Sequence, residues 1–164
     1  MNVPKTEHKK TFLKRYNKIS ELEHALITVR QMNFNRIAIS VIGNLGDDNM
    51  NASKEPELNE NELKLFFRKL LGENTDFDTF YNPELGHLFV AGSLVATFLN
   101  PIGKSTIGVL SGGPYGILRG LGVSESEAVV SIKKLGNGTY LFVVRGDQFD
   151  IEKLENKLKI DKTN

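Results

Sequence analysis

The stretch from Thr11 to Gly43, TFLKRYNKISELEHALITVRQMNFNRIAISVIG, changes its hydrophobic period twice, and that change sets the reading of the fold. Thr11 to Tyr16 reads as a strand. Ser20-Glu21-Leu22-Glu23 then has the S-x-x-E pattern of a capping box, in which the serine hydroxyl and the glutamate carboxylate each satisfy an orphan backbone N–H at a helix start. Leu22, Ala25, Leu26 and Val29, with Met32 beyond them, recur at helical spacing, so this helix carries one apolar stripe for packing on a sheet. Asn33 to Asn35 ends it. Arg36 to Gly43 is rich in β-branched residues, the mark of a strand buried on at least one face. The chain opens strand, helix, strand.

Outward from that unit, residues 1–10 read as a flexible N-terminal arm and 11–160 as a single α+β domain. Residues 44–72 read as an insertion: an acidic, turn-rich loop with Asp47, Asp48, Glu55 and Glu57, then a helix from Glu60 to Leu71. Leu63, Phe66, Phe67, Leu70 and Leu71 give that helix a heavy apolar face. Tyr81 to Gly86 reads as a turn, His87 to Gly92 as the third strand, and Ser93 to Leu99 as a short helical piece. The segment 86–122 holds nine of the fifteen glycines, and Gly108, Gly112, Gly116 and Gly120 fall on every fourth residue. Small residues at that spacing let another backbone approach closely. Pro114 suits a first helical position and not a helix interior, so that helix is expected to start near it and not at Gly108.

A second S-x-x-E box, Ser124 to Glu127, opens a helix that ends at Gly136-Asn137-Gly138. Thr139 to Arg145 (TYLFVVR) is the last strand. Asp147 or Asp150 is expected to cap a charged C-terminal helix with Ile151, Leu154 and Leu158 facing inward. The order predicts a ferredoxin-like sandwich, a four-stranded sheet with helices mainly on one face, the inserted helix and a glycine-rich helical segment.

Composition narrows the function. The chain of 164 residues can bury a core without staples, and the absence of cysteine excludes disulfides, thiolate nucleophiles and Cys-based zinc sites, in keeping with a cytoplasmic address. A formal net charge of +1 provides no global field for nucleic acid or an anionic membrane. No apolar h-region follows the polar, basic start, so no signal peptide is expected. The uncharged run Leu85 to Gly103 is broken by Asn100, Pro101 and several glycines, so it reads as core and membrane association is not expected.

Three runs, GHLFVAGSLVATFL (86–99), GGPYGILRGLGVSESEA (112–128) and GTYLFVV (138–144), resemble the glycine-rich bacterial general stress proteins of the heat-induced YflT type. Gly122-Val123 and Ala128 occupy that family's turn into a helix, and Asn33 to Gly43 resembles its strand entry. The resemblance spans most of the chain, with residues 44–71 as an insertion and Pro114 splitting the glycine zipper. It implies a stress-associated protein without catalytic residues to transfer.

The remaining motifs are incomplete. Gly103-Lys104-Ser105 ends like a phosphate loop, but the first glycine of that motif is replaced by Phe98, which leaves a solvent turn. Asp47-x-Asn49-x-Asn51 begins like a calcium loop, yet Ala52 and Leu58 stand where glycine and a bidentate glutamate are required. His8, His24 and His87 have no metal spacing, and no serine lies in a hydrolase elbow. The basic run from Lys5 to Lys18 and the aromatic strand near Phe142 lack the partners of an RNA-binding sheet. The expectation is a non-enzymatic binding or scaffolding module without cofactor or metal, self-associating as a dimer through a sheet edge or face, with Gly108, Gly112, Gly116 and Gly120 as interface candidates. The alternative is a small-ligand or anion-binding domain, or a weak enzyme, using Lys104, Ser111, Gly112 and Gly113, where a helix N-terminus offers free N–H groups.

Overall fold

In the computed structural model, which describes residues 8–46 and 57–161, β1 (Lys9–Tyr16), α1 (Ile19–Met32) and β2 (Ile37–Asn44) form the expected opening unit. The strand reaches two residues into the supposed arm. α1 starts earlier than its S-x-x-E box: Lys18 is the N-cap without a side-chain bond, and Ile19, packed against the core, takes the first helical position. α2 (Glu60–Leu71) carries a full capping box in Asn59 and Glu62, which the sequence reading missed. A hairpin follows, β3 (Phe77–Asn82) and β4 (Gly86–Gly92), then the one-turn α3 (Val95–Phe98). A small ribbon, β5 (Pro101–Ile102) and β6 (Ser105–Thr106), and a 3-10 turn over Ile107–Val109 lead to α4 (Gly113–Gly120). α5 (Glu125–Gly136), β7 (Tyr140–Asp147) and α6 (Gln148–Asp161) complete the chain.

The main sheet has the order β1-β7-β2-β4-β3 with every neighbouring pair antiparallel. Two expectations attached to the ferredoxin-like sandwich are corrected here. The sheet has five strands instead of four, because the segment read as a turn is the end of β3 and the turn itself is only Pro83 to Leu85. Helices also cover both faces instead of mainly one. Tyr140, Phe142 and Val144 of β7 join α1, α2 and α6 in one core, while Leu141 and Val143 join α3, α4 and α5 in the other. The unbroken apolar run of β7 is the sequence mark of such double burial.

β1 and β2 run parallel with β7 between them, and β4 and β7 run parallel with β2 between them, so two βαβ crossovers interleave. They step in opposite directions between strands of opposite sense, where equal hands would put both on one face. Passing over opposite faces, they have opposite hands, and one departs from the right-handed rule.

Phe89 organises the first core. Its ring lies 5.6 Å from Phe67, 5.7 Å from Phe77 and 6.3 Å from Tyr140. It also fills the place a Cβ would take at Gly43 of β2. α2 is therefore part of the core and not an appendage: Leu63 and Phe67 are buried in it. Burial, and secondarily the charge of Glu57, pushes the Tyr140 phenol up to about 12, so it stays protonated and structural. At the end of β4, Gly92 has φ 98°, its N–H donates to Asp76 O at 2.8 Å, and a Cβ there would run into Ile39 O. No helix among the described residues is long and apolar enough to cross a membrane.

Candidate functional site

The anion site read at Lys104, Ser111, Gly112 and Gly113 holds an anion of the protein's own. Asn82, fully buried at the end of β3, donates from Nδ2 to Gly108 O at 2.8 Å and to Leu110 O at 3.2 Å, and its Oδ1 accepts from Glu84 N and Leu85 N. This knot fixes the hairpin turn against the 3-10 turn and brings Glu84 to the start of α4. There Glu84 Oε1 accepts from Ser111 Oγ at 2.8 Å and from Gly112 N at 2.6 Å. These bonds, the serine first and the backbone N–H second, hold the Glu84 carboxyl below its ordinary range. Lys104 is exposed in the ribbon turn, and among the described residues no hydrogen bond or ion pair joins it to Ser111, Gly112 or Gly113.

The sign of that shift gives a measurable consequence. A lowered folded-state value means the Glu84 contacts are intact above the ordinary carboxylate range and are lost as pH falls through the lowered value. The Gly112 amide signal is expected to move with a midpoint below 4.5, and to lose that titration in Glu84→Gln. A midpoint at or above 4.5 would contradict the contact.

The glycine series does not form one helical stripe. Gly108 lies in the 3-10 turn beneath the Phe80 ring, where a Cβ would sit 2.8 Å from Cε2. Gly112 is the α4 N-cap with φ 73°. Only Gly116 and Gly120 share α4, and both face open space. The calcium-like residues Asp47, Asn49 and Asn51 lie outside the described residues.

A groove that the motifs did not announce runs along β1. Backbone groups of alternate residues point to opposite edges of a strand. Gln148 N donates to His8 O, so the even residues of β1 turn toward β7, and Lys9, Thr11, Leu13 and Arg15 turn their N–H and C=O groups to the other side. Among the described residues no strand pairs there. At the opposite sheet edge, with outward residues Phe77, Thr79 and Tyr81, the middle position is capped: Thr79 has its N–H taken by Asp78 Oδ1 at 2.8 Å, and its hydroxyl reaches Glu60. A strand whose outward N–H is capped by its own side chain is a poorer template for another chain at that position.

Walls rise on both sides of β1, enclosing about 530 Å³. Glu155, Leu158 and Lys159 of α6 form one wall, and Gly122, Val123, Ser124 and Glu127 at the start of α5 form the other. Side chains of the strand fasten both. Thr11 Oγ1 donates to Leu121 O at 2.7 Å, and Arg15 Nη1 contacts Glu127 at 2.7 Å and Ser131 Oγ at 3.1 Å. On the α6 side Lys10 meets Glu155 at 3.3 Å, and Lys14 Nζ reaches Leu158 O at 3.5 Å. Ser124 caps α5 by accepting from Glu127 N, while the Glu127 carboxylate bonds Arg15. The second S-x-x-E motif thus serves the groove as well as the helix.

Comparisons with family models, with curated proteins and with solved structures find no match to this chain.

Proposed function

We propose that the protein is a non-catalytic binding module that takes an extended chain segment as an added strand along β1. The observation that carries this reading is the asymmetry of the two sheet edges, one self-capped at Thr79 and the other open between two walls. Strand addition draws affinity from main-chain hydrogen bonds and specificity from pockets for alternate side chains, and the β1 groove supplies both kinds of contact. The resemblance to stress proteins of the heat-induced YflT type suits a scaffolding role, and kinship with ferredoxin-like sheets rests on the interleaving of the crossovers alone, because their helices lie on opposite faces. Both belong to the proposal.

Hydrogen exchange tests it. In the free protein the amides of Thr11, Leu13 and Arg15 are expected to exchange fast while those of Phe12 and Lys14 are protected. Linear peptides selected from a displayed random library are expected to slow the three outward amides together. Selected peptides that bind while leaving those amides fast would place the function elsewhere.

Self-association through α4 is a second reading, favoured by the open space in front of Gly116 and Gly120. A wild-type dimer by light scattering that becomes monomeric in Gly116→Leu and Gly120→Leu would support it over strand addition.

A further inference from the structure

We infer that the strand accepted at β1 is an uncharged, apolar segment of an outside protein, with a large apolar side chain opposite Phe12 and β-branched side chains opposite Thr11 and Leu13. This rests on the strand-addition reading above and assigns its ligand class.

Side chains of an added strand alternate between the two faces, so those opposite even residues of β1 fall toward α6 and those opposite odd residues toward α5. The charges along both faces are engaged within the protein. Lys9 meets Asp147 at 3.5 Å, Lys10 meets Glu155 at 3.3 Å, and Arg15 meets Glu127 at 2.7 Å. The Lys14 ammonium lies 5.1 Å from the centre of the Tyr16 ring and donates to Leu158 O at 3.5 Å. Lys159 stands in the last turn of α6, where a cation complements the helix dipole. A charged side chain laid in the groove gives up part of its hydration to compete with contacts already made. Charge therefore does not select the occupant.

What the groove offers an added strand is backbone and apolar surface. On the α6 side Phe12 packs at the margin of the core, its ring 6.1 Å from Phe142, and Leu158 lines the groove beside it. This is a place for one large apolar side chain. On the α5 side Leu13 and Val123 line the groove together, and Thr11 is bonded to Leu121 O. β-Branched side chains, which fit a pleated and half-buried surface, suit that side. The ion pairs of Lys10 with Glu155 and of Arg15 with Glu127 bracket this apolar stretch at its two ends. A second copy of this chain is a poorer occupant. Its β1 is of the opposite character, with Lys9, Lys10, Lys14 and Arg15 and no acid, and it brings its own α5 and α6 walls into the space that a lone strand would fill.

The test uses the full-length protein and synthetic peptides, blocked at both ends, measured by fluorescence anisotropy. The parent peptide carries threonine, valine, phenylalanine, valine, threonine, a symmetric pattern that presents the same side chains in either strand direction. Alanine in place of its phenylalanine is expected to weaken binding at least about tenfold, as the loss of a large buried apolar side chain requires. Glutamate or lysine in place of both threonines is expected to give no gain in affinity beyond about fivefold, the upper reach of an exposed ion pair. Added salt should change the affinity of the parent little. Only the peptide changes across the series, so no outcome depends on a protein variant folding.

A glutamate or lysine peptide that exceeds the parent by more than about fivefold overturns the uncharged assignment while leaving strand addition standing. An alanine peptide equal to the parent overturns the apolar assignment. If the parent does not bind while library-selected peptides of other composition slow the amides of Thr11, Leu13 and Arg15, the inference falls and strand addition stands; if no peptide slows them, both fall. A protein already dimeric, with those amides protected before any peptide is added, assigns the edge to a second copy and overturns the inference.

Discussion

Phe89→Ala is expected to lower the unfolding free energy by about 3–5 kcal/mol, the range for removing a large aromatic side chain from a packed core. The ring is fully buried and meets Phe67, Phe77 and Tyr140, so its loss leaves a void bounded by α2, β3 and β7. Chemical denaturation checks the value. A second substitution sharpens it, because the same ring occupies the place of a Cβ at Gly43, where Tyr140 Cδ1 also stands 3.1 Å away. Gly43→Ala alone should cost about 1–3 kcal/mol by overpacking. With Phe89 already truncated, the added methyl has room. The double variant is expected to be less destabilised than the sum of the singles by at least about 1 kcal/mol. Strict additivity would show that the ring does not fill that place.

Gly92→Ala is expected to cost about 4 kcal/mol from two separate causes, a left-handed backbone imposed on an L side chain and a collision with a main-chain oxygen. Gly92 has φ 98°, and its Cβ would meet Ile39 O, the acceptor for Ser93 N. The neighbour is backbone of the central strand β2, which cannot swing aside as a side-chain tip can. Gly116→Ala is the control: its Cβ meets nothing within 4 Å, and α4 continues through it. In an exposed helix interior alanine is favoured over glycine by about 0.5–1 kcal/mol, so this variant should melt at or above the wild type. A Gly92→Ala protein as stable as wild type would contradict the crowding between β2 and β4.

The helical elements were legible because their signals are local. The apolar stripe of α1, the heavy face of α2, Pro114 at the start of α4 and Ser124 at the start of α5 each lie within a few residues of the structure they specify. β3 was hidden because Phe77 to Asn82 includes Asp78 and Asn82, turn-forming types. Their roles emerge only in the folded chain, where Asp78 caps the next N–H and Asn82 ties the hairpin to the 3-10 turn. The glycine spacing misled because regular intervals carry meaning only within one helix, and α4 contains two of the four positions. Ser111 and Gly112 were read as open to a ligand because nothing local in the sequence places Glu84 there. The groove is the least local feature. Its floor, α5 wall and α6 wall come from residues 11–15, 122–127 and 155–159. The basic character of Lys9 to Arg15 was visible but was read as part of a solvated arm and an ordinary strand.

The position of β7 sets the order in which this protein can be assembled. β1 and β2 flank it, and Lys9 pairs with Asp147 across nearly the whole chain. A ribosome that has made the opening strand, helix and strand has therefore made two ribbons with nothing to hydrogen-bond between them. They must wait, exposed, for the sequence TYLFVVR to be synthesised and slotted in. Such late closure postpones completion of the sheet to the end of translation, and distant pairings must be formed before they repay their entropy. Until then the nascent chain holds β1 as a lone strand beside the partial sheet β2-β4-β3, each with an edge that only β7 covers.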